Sequence, residues 1–163
     1  MITRPRLIRE YWPELLTWPV DAALEMNGQV FMFVGNQVLT FQNRRLMSTK
    51  NLTELGLPSD LTKVRLAYKW FYGDVMHFVW NETHYWKLDA RTMKTEVDYP
   101  RLISNIWKGI PTTVSAAFSW SNELWFVDAG VMFKFDSFKM DVSRGYPRRF
   151  SHILDHCLPR AEA

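Results

Sequence analysis

An all-β array of stacked repeat units is the fold class this sequence predicts, and three observations carry it. The segments VDAAL at 20–24, VRLAY at 64–68 and VSAAF at 114–118 recur at intervals of 44 and then 50 residues. Each is followed at a similar distance by an apolar run, FMFVG from Phe31, HFVWN from His77 and WFVDA from Trp125, and then by an amphipathic stretch ended by proline. Eight Trp and eleven Phe in 163 residues supply large flat side chains suited to the space between sheets. One unit of this size cannot bury both of its faces, so self-similarity at this period points to a propeller or another repeat array.

Before the first unit, Ile8, Tyr11, Trp12 and Leu15 keep the spacing of a buried helical face and stop short of Pro19, with no sheet preceding them. In the first unit a strand over 21–26 runs into Asn27-Gly28, a pair that favours a type I′ turn because both central residues need positive φ. Residues 29–34 are apolar on both faces, as in a sheet sandwiched between others, and Gly35-Asn36 turns the chain into a strand over 37–42. The unit closes with an amphipathic segment over 51–57 before Pro58. The second unit repeats the order with strands over 75–80 and 84–88 about a turn at Asn81-Glu82. Its closing helix is read from Ile103, Ile106, Trp107 and Ile110, ended by Gly109 and Pro111. The third unit has strands over 123–127 and 131–135 joined by Asp128-Ala129-Gly130, then a closing helix on Phe150, Ile153, Leu154 and Cys157 before Pro159.

Composition bounds the function. With 47% hydrophobic and 15% aromatic residues the chain has material for one core and no mark of disorder. Twenty basic residues are scattered among 17 acidic ones, for a net charge of +3, so there is no basic stripe for nucleic acid. No window offers the ~18 uncharged apolar residues a membrane span requires, and the opening MITRPRLIREYW lacks the apolar core of a secretory signal. Asn51-Leu52-Thr53 and Asn81-Glu82-Thr83 fit the N-glycosylation pattern, the second at the expected tip of a hairpin where a glycan has room. The single cysteine, Cys157, has no partner within the chain, which in a secreted protein implies a partner elsewhere.

The repeat resembles the hemopexin-like domain, a four-bladed β-propeller found in matrix metalloproteinases, hemopexin and vitronectin. The resemblance is carried by the DAA-type strand (Asp21-Ala22-Ala23, Ser115-Ala116-Ala117), by Tyr85-Trp86-Lys87-Leu88-Asp89 with Phe133-Lys134-Phe135-Asp136, and by Tyr99-Pro100-Arg101 with Tyr146-Pro147-Arg148. Residues 44–64 and the ending HILDHCLP at 152–159 look most like the gelatinase members of the matrix metalloproteinases. The resemblance implies one domain over 1–163, with 1–19 as the end of blade one, 20–58 as blade two, 59–111 as blade three and 112–159 as blade four. Blade one is then present only as its terminal helix, near residues 5–18, and Cys157 stands at the position that closes the propeller by a disulfide to an absent first-blade cysteine. Open sheet edges of such an array expose apolar surface and invite self-association.

What the resemblance implies about sites follows position by position. The family binds ions in the axial channel through backbone groups at the first and third residues of the DAA motif, which here are Asp21 and Ala23, Arg65 and Ala67, Ser115 and Ala117. Main-chain oxygens suit calcium or sodium, although Arg65 is unfavourable beside a cation unless its side chain points away. Catalytic zinc is not expected, because HExxH occurs nowhere in the chain. His152 and His156 stand at i and i+4 beside Cys157 but lack a base and a third ligand, and are read as solvent-facing. His77 is read as a core histidine, and Asp21, Asp89 and Asp136 as parts of the blade rather than catalytic carboxylates. Cys157 is a free or intermolecular thiol rather than a nucleophile. Trp80, Tyr85, Trp86 and Lys87 are candidates for partner contact that packing claims first.

The function expected is therefore a non-catalytic module of a secreted matrix metalloproteinase, acting in the extracellular matrix on collagen or gelatin, on tissue inhibitors of metalloproteinases, and in dimerisation. A rigid disc with variable loops suits recognition and carries no chemistry of its own. The alternative is a haem carrier or adhesive glycoprotein of hemopexin or vitronectin type, with His77, His84, His152 and His156 as axial-ligand candidates. A third reading makes assembly of the open array its main property.

Overall fold

The structure, a computed structural model, describes residues 7–16, 19–70 and 76–151, and for Met76 and His77 the backbone alone. A single helical turn, α1 (Ile8–Tyr11), precedes three antiparallel sheets laid down in chain order. Sheet 1 is β1 (Ala22–Met26), β2 (Gln29–Val34), β3 (Gln37–Gln42) and β4 (Arg45–Asn51), each paired with the next. Sheet 2 is β5 (Leu66–Trp70), β6 (Met76–Trp80), β7 (His84–Leu88) and β8 (Arg101–Leu102), followed by the one-turn helix α2 (Ile103–Ile106). In sheet 3, β9 (Ala116–Trp120), β10 (Glu123–Asp128) and β11 (Val131–Asp136) pair in turn, and β11 also carries β12 (Asp141–Val142) and β13 (Arg148–Arg149). The described chain is thus all-β with short helical turns.

Turn chemistry fixes the registers. Asn27 and Gly28 have φ of 54° and 75°, and Ala129 and Gly130 have 45° and 80°, the two positive φ values a two-residue primed turn needs. Two further hairpins use the same backbone without the usual Asn-Gly signal, at Asn43-Arg44 and Ser121-Asn122. The Asn81 turn is made differently: its Oδ1 accepts the backbone N–H of Thr83 at 2.8 Å and of His84 at 2.7 Å.

The closing segments are shorter than their periodicity predicts. The segment after β4 is a 3₁₀ turn at Leu52–Leu55, and α2 is one turn after which Trp107 and Ile110 continue as buried loop residues. What repeats is their docking: the N–H of Leu52 donates to Asn36 O at 2.9 Å, that of Ile103 to Thr83 O at 3.0 Å, and that of Phe150 to Gly130 O at 2.8 Å. Each segment is thereby hung on the hairpin between the second and third strands of its own sheet. Of the face expected at the start of the chain only part is buried: Ile8 and Tyr11 of α1 are exposed, and Leu15, beyond the helical turn, is covered. The remainder of the last closing segment, with Ile153, Leu154 and Cys157, lies outside the described residues.

Stacking of the sheets makes the core. Leu24, Met26, Phe31, Phe33 and Val38 of sheet 1 meet Ala67, Val79, Trp86 and Leu88 of sheet 2, with Leu52, Leu55 and Leu57 filling the outer end. The opposite face of sheet 2 meets sheet 3 through an aromatic cluster centred on Trp107, whose ring contacts Tyr68, Trp70, Phe78, Trp80, Tyr85, Phe126 and Phe135 at centroid distances of 5.1–5.9 Å. The other face of sheet 1, with Met32, Val34, Leu39 and Phe41, is covered by Trp12, Leu15 and Val20.

Candidate functional site at the convergence of the first strands

The first strands of the three sheets lie side by side, β1 against β5 and β5 against β9. Among the described residues each has a sheet partner on one side only, so each presents a free backbone edge. The sequence places small residues at the third position of each, Ala23, Ala67 and Ala117, which lets the three backbones approach. Together with the first-position residues Asp21, Arg65 and Ser115 they line one cavity of about 190 Å³. All six residues carried over from the resemblance are therefore brought together.

The first-position residues share a backbone device. Asp21 N–H donates to Phe33 O at 2.8 Å although Ala22 is the register partner of Phe33. Arg65 donates to Trp80 O at 2.8 Å beside the Leu66–Trp80 pair, and Ser115 to Val127 O at 2.8 Å beside the Ala116–Val127 pair. Two residues of the first strand thus face one of the second in every sheet, a bulge that re-aims the strand where it meets its neighbours.

Side chains at the mouth are engaged with one another. Asp21, its side chain only 6% exposed, pairs with Lys63 at 3.0 Å and accepts the Gly35 N–H at 2.7 Å. Arg65 donates to Thr112 O at 2.9 Å and pairs with Glu82 at 3.3 Å, so its guanidinium is held by two neighbours. Asp21, Arg65 and Ser115 also line a second, polar basin of about 660 Å³, to which Asn81 and Thr83 belong. The smaller cavity and this basin therefore adjoin at three shared residues.

Other candidates take structural roles. Asp89 Oδ1 accepts from Arg91 N, Thr92 N and Thr92 Oγ1, and Asp136 Oδ1 from Phe138 N and Lys139 N, so both close turns after the third strands. The backbone N–H of Thr92 and of Lys139, foremost among these contacts, hold the two carboxyls below their ordinary pKa of 3.8. Asp21 does not share their position in the unit, since its counterparts are Arg65 and Ser115. Trp80, Tyr85 and Trp86 are buried between sheets, and Lys87 pairs with Glu96 at 2.9 Å, which leaves partner contact no claim on these rings. His84 Nδ1 shares a hydrogen bond with Thr83 Oγ1 at 2.8 Å. The side chain of His77, and His152, His156 and Cys157 altogether, lie outside the described residues. Among the described residues no group of three His, Cys, Asp or Glu is arranged to hold a metal, and no helix is long and apolar enough to cross a membrane.

The Hemopexin family profile matches residues 78–112. Matrix metalloproteinase-A of Caenorhabditis elegans is 28% identical over 150 residues, 88% of this chain. Matrix metalloproteinase-2 of Drosophila melanogaster is 35% identical over 122 residues, 71% of this chain. The chain is a hemopexin-like domain, similar to those of matrix metalloproteinases. The domain spans 28% and 16% of the lengths of these two relatives. Among solved structures, a hemopexin fold protein from cow pea superposes with a TM-score of 0.73 at 14% identity, over 94% of this chain and 81% of that one, and so shares the fold.

Sequence reasoning missed the basin. Its residues come from the segment before β1, the loop before β5, the β6–β7 hairpin tip and the loop before β9, so no local motif joins them. The signal available was the repeat itself, which gives the loops before β5 and β9 the same place in their units.

Proposed function

We propose that this hemopexin-like domain is a non-catalytic recognition module of a secreted matrix metalloproteinase, binding matrix proteins such as collagen or gelatin, inhibitor proteins of the tissue-inhibitor class, and a second copy of itself. The observation that carries the reading is the threefold repeat in register with similarity to matrix metalloproteinases over most of the chain. On this reading the three sheets are blades two to four of a four-bladed propeller, over 20–58, 59–111 and 112–159, with residues 1–19 ending blade one. The gelatinase-like character of residues 44–64 belongs to the same proposal.

A calcium ion at the axis is part of the reading. Three free strand edges with main-chain oxygens are the donor type a hard cation takes, and Lys63 with Arg65 are already occupied by carboxylates. Asp21, Ala23, Arg65, Ala67, Ser115 and Ala117 would hold it through backbone groups, and it would tie the first strands together without entering any reaction.

The test uses the purified full chain. Saturable binding to immobilised gelatin or collagen, without cleavage of gelatin or a peptide in the absence of a catalytic domain, is expected, with a rise in melting temperature on adding calcium. Cleavage by the chain alone, or no binding to matrix proteins or inhibitors, overturns the recognition reading. An unchanged melting temperature removes the axial ion.

A further inference from the structure

The geometry points to Asn81 as an N-glycan attachment site whose proximal sugars occupy the basin at the mouth of the axial cavity and so cover it. The inference rests on the secretory part of the reading above. Three observations carry it. Asn81-Glu82-Thr83 has the acceptor pattern at a hairpin tip. Asn81 Oδ1 accepts two backbone N–H groups, from Thr83 at 2.8 Å and His84 at 2.7 Å, which fixes the amide plane, while no described residue engages Nδ2. Asn81 and Thr83 line the 660 Å³ basin, and that basin shares Asp21, Arg65 and Ser115 with the axial cavity.

The chemistry needs only Nδ2. In transfer from a lipid-linked oligosaccharide, this nitrogen forms a bond to C1 of the first sugar, the C1–O bond to the lipid pyrophosphate breaks, and the amide nitrogen loses one proton. Oδ1 keeps both of its hydrogen bonds, so the turn survives modification. The basin suits a sugar: it is open, its rim carries the Asp60 carboxylate, and the Thr83 and Thr113 hydroxyls and the Glu82 carboxylate, although bonded to His84, Asp128 and Arg65, keep lone pairs that accept from sugar hydroxyls. The other acceptor asparagine, Asn51, lines neither cavity and provides a control.

The test fits the full chain with a secretion signal and expresses it in a glycosylating cell line, which separates this inference from whether the natural chain is exported. Enzymatic release of glycans in heavy-oxygen water converts an occupied Asn81 to labelled Asp, and peptide mass spectrometry is expected to find that label. Access to the axis is read by maleimide labelling of Ser115→Cys in a Cys157→Ser background. Labelling is expected to be several-fold slower in the glycosylated chain than after glycan release or in Thr83→Ala, and unchanged by Asn51→Gln. An unmodified Asn81, or equal labelling rates with and without its glycan, overturns the inference. Gelatin binding by chain made in bacteria, which carries no glycan, tests the recognition reading independently.

Discussion

Trp107 shows how one residue closes an interface between sheets. It is 1% exposed, it stands outside any strand, and its ring contacts aromatic side chains from both sheet 2 and sheet 3. Replacing it with Ala removes the centre of this cluster and leaves a cavity that rigid strands cannot collapse, so Trp107→Ala is expected to cost ~3–5 kcal/mol of stability. Phe138, also aromatic but 80% exposed, sets the contrast. Phe138→Ser is expected to change stability by less than ~0.5 kcal/mol, and urea unfolding of the two variants against the parent chain checks both values. The burial of Trp107 was legible in the sequence because Ile103, Ile106, Trp107 and Ile110 keep one face. The length of the helix was not, since that spacing is equally served by one helical turn followed by a loop pressed against the same core. The same limit applies to α1, where Ile8 and Tyr11 keep the spacing of a buried face yet remain exposed.

At the scale of elements, the units read most clearly were those with two independent signals. Strands β2, β3 and β7 have the bounds the sequence predicts, because apolar runs end at turn residues. Strand β4 was missed: RLMSTKN buries none of its residues, so it lacks an apolar pattern, and its turn is made by Asn43-Arg44 rather than Asn-Gly. The six residues lining the cavity between the first strands follow from the family resemblance, whereas the basin next to them is assembled from loops that no single motif describes. Loop positions still impose strict demands. Gly109, at φ 76°, lies where a Cβ would sit 2.8 Å from Val142 Cγ2 and 3.2 Å from Val142 Cβ, so the chain between α2 and sheet 3 has no room for a side chain. Gly28, at φ 75°, has nothing within 4 Å. Ala at either position bears the left-handed backbone cost of ~1–2 kcal/mol, and only at Gly109 is a clash with a half-buried neighbour, Val142, added. Gly109→Ala is therefore expected to lower the melting temperature more than Gly28→Ala, with each kcal/mol worth roughly 2–4 °C in a chain of this size. Equal shifts would show that the contact with Val142 relaxes freely.

At the scale of the whole molecule, stacking three sheets leaves two outward faces without a sheet neighbour among the described residues, and they are not equivalent. Sheet 1 is covered by the segment before it, with Trp12 packed edge-on against Phe41 at 5.0 Å and Leu15 buried beside Met32 and Leu39. Sheet 3 has a different outer face. In β9, Ala117 packs into the aromatic core and Ser119 Oγ donates to Lys69 O of sheet 2, so alternation turns Phe118 and Trp120 outward. They are 38% and 60% exposed, with the Trp120 ring tilted at 45° to that of Trp125, 6.1 Å between centroids. Burying these rings against another chain recovers the transfer free energy that solvent exposure forgoes, ~1.5–3 kcal/mol for a fully buried large apolar side chain. Concentration-dependent self-association through this face is the expected result, and Trp120→Lys is expected to weaken it without lowering the melting temperature, because the ring contributes little to the core. Leu15→Ala is expected to act in the opposite sense, loosening the cover of sheet 1 and exposing a second apolar face, so that association rises while stability falls by ~2–5 kcal/mol. Sedimentation equilibrium over a range of concentrations separates the cases: a parent chain that stays monomeric would overturn the association, and a Trp120→Lys variant that associates as tightly as the parent would place the seam elsewhere.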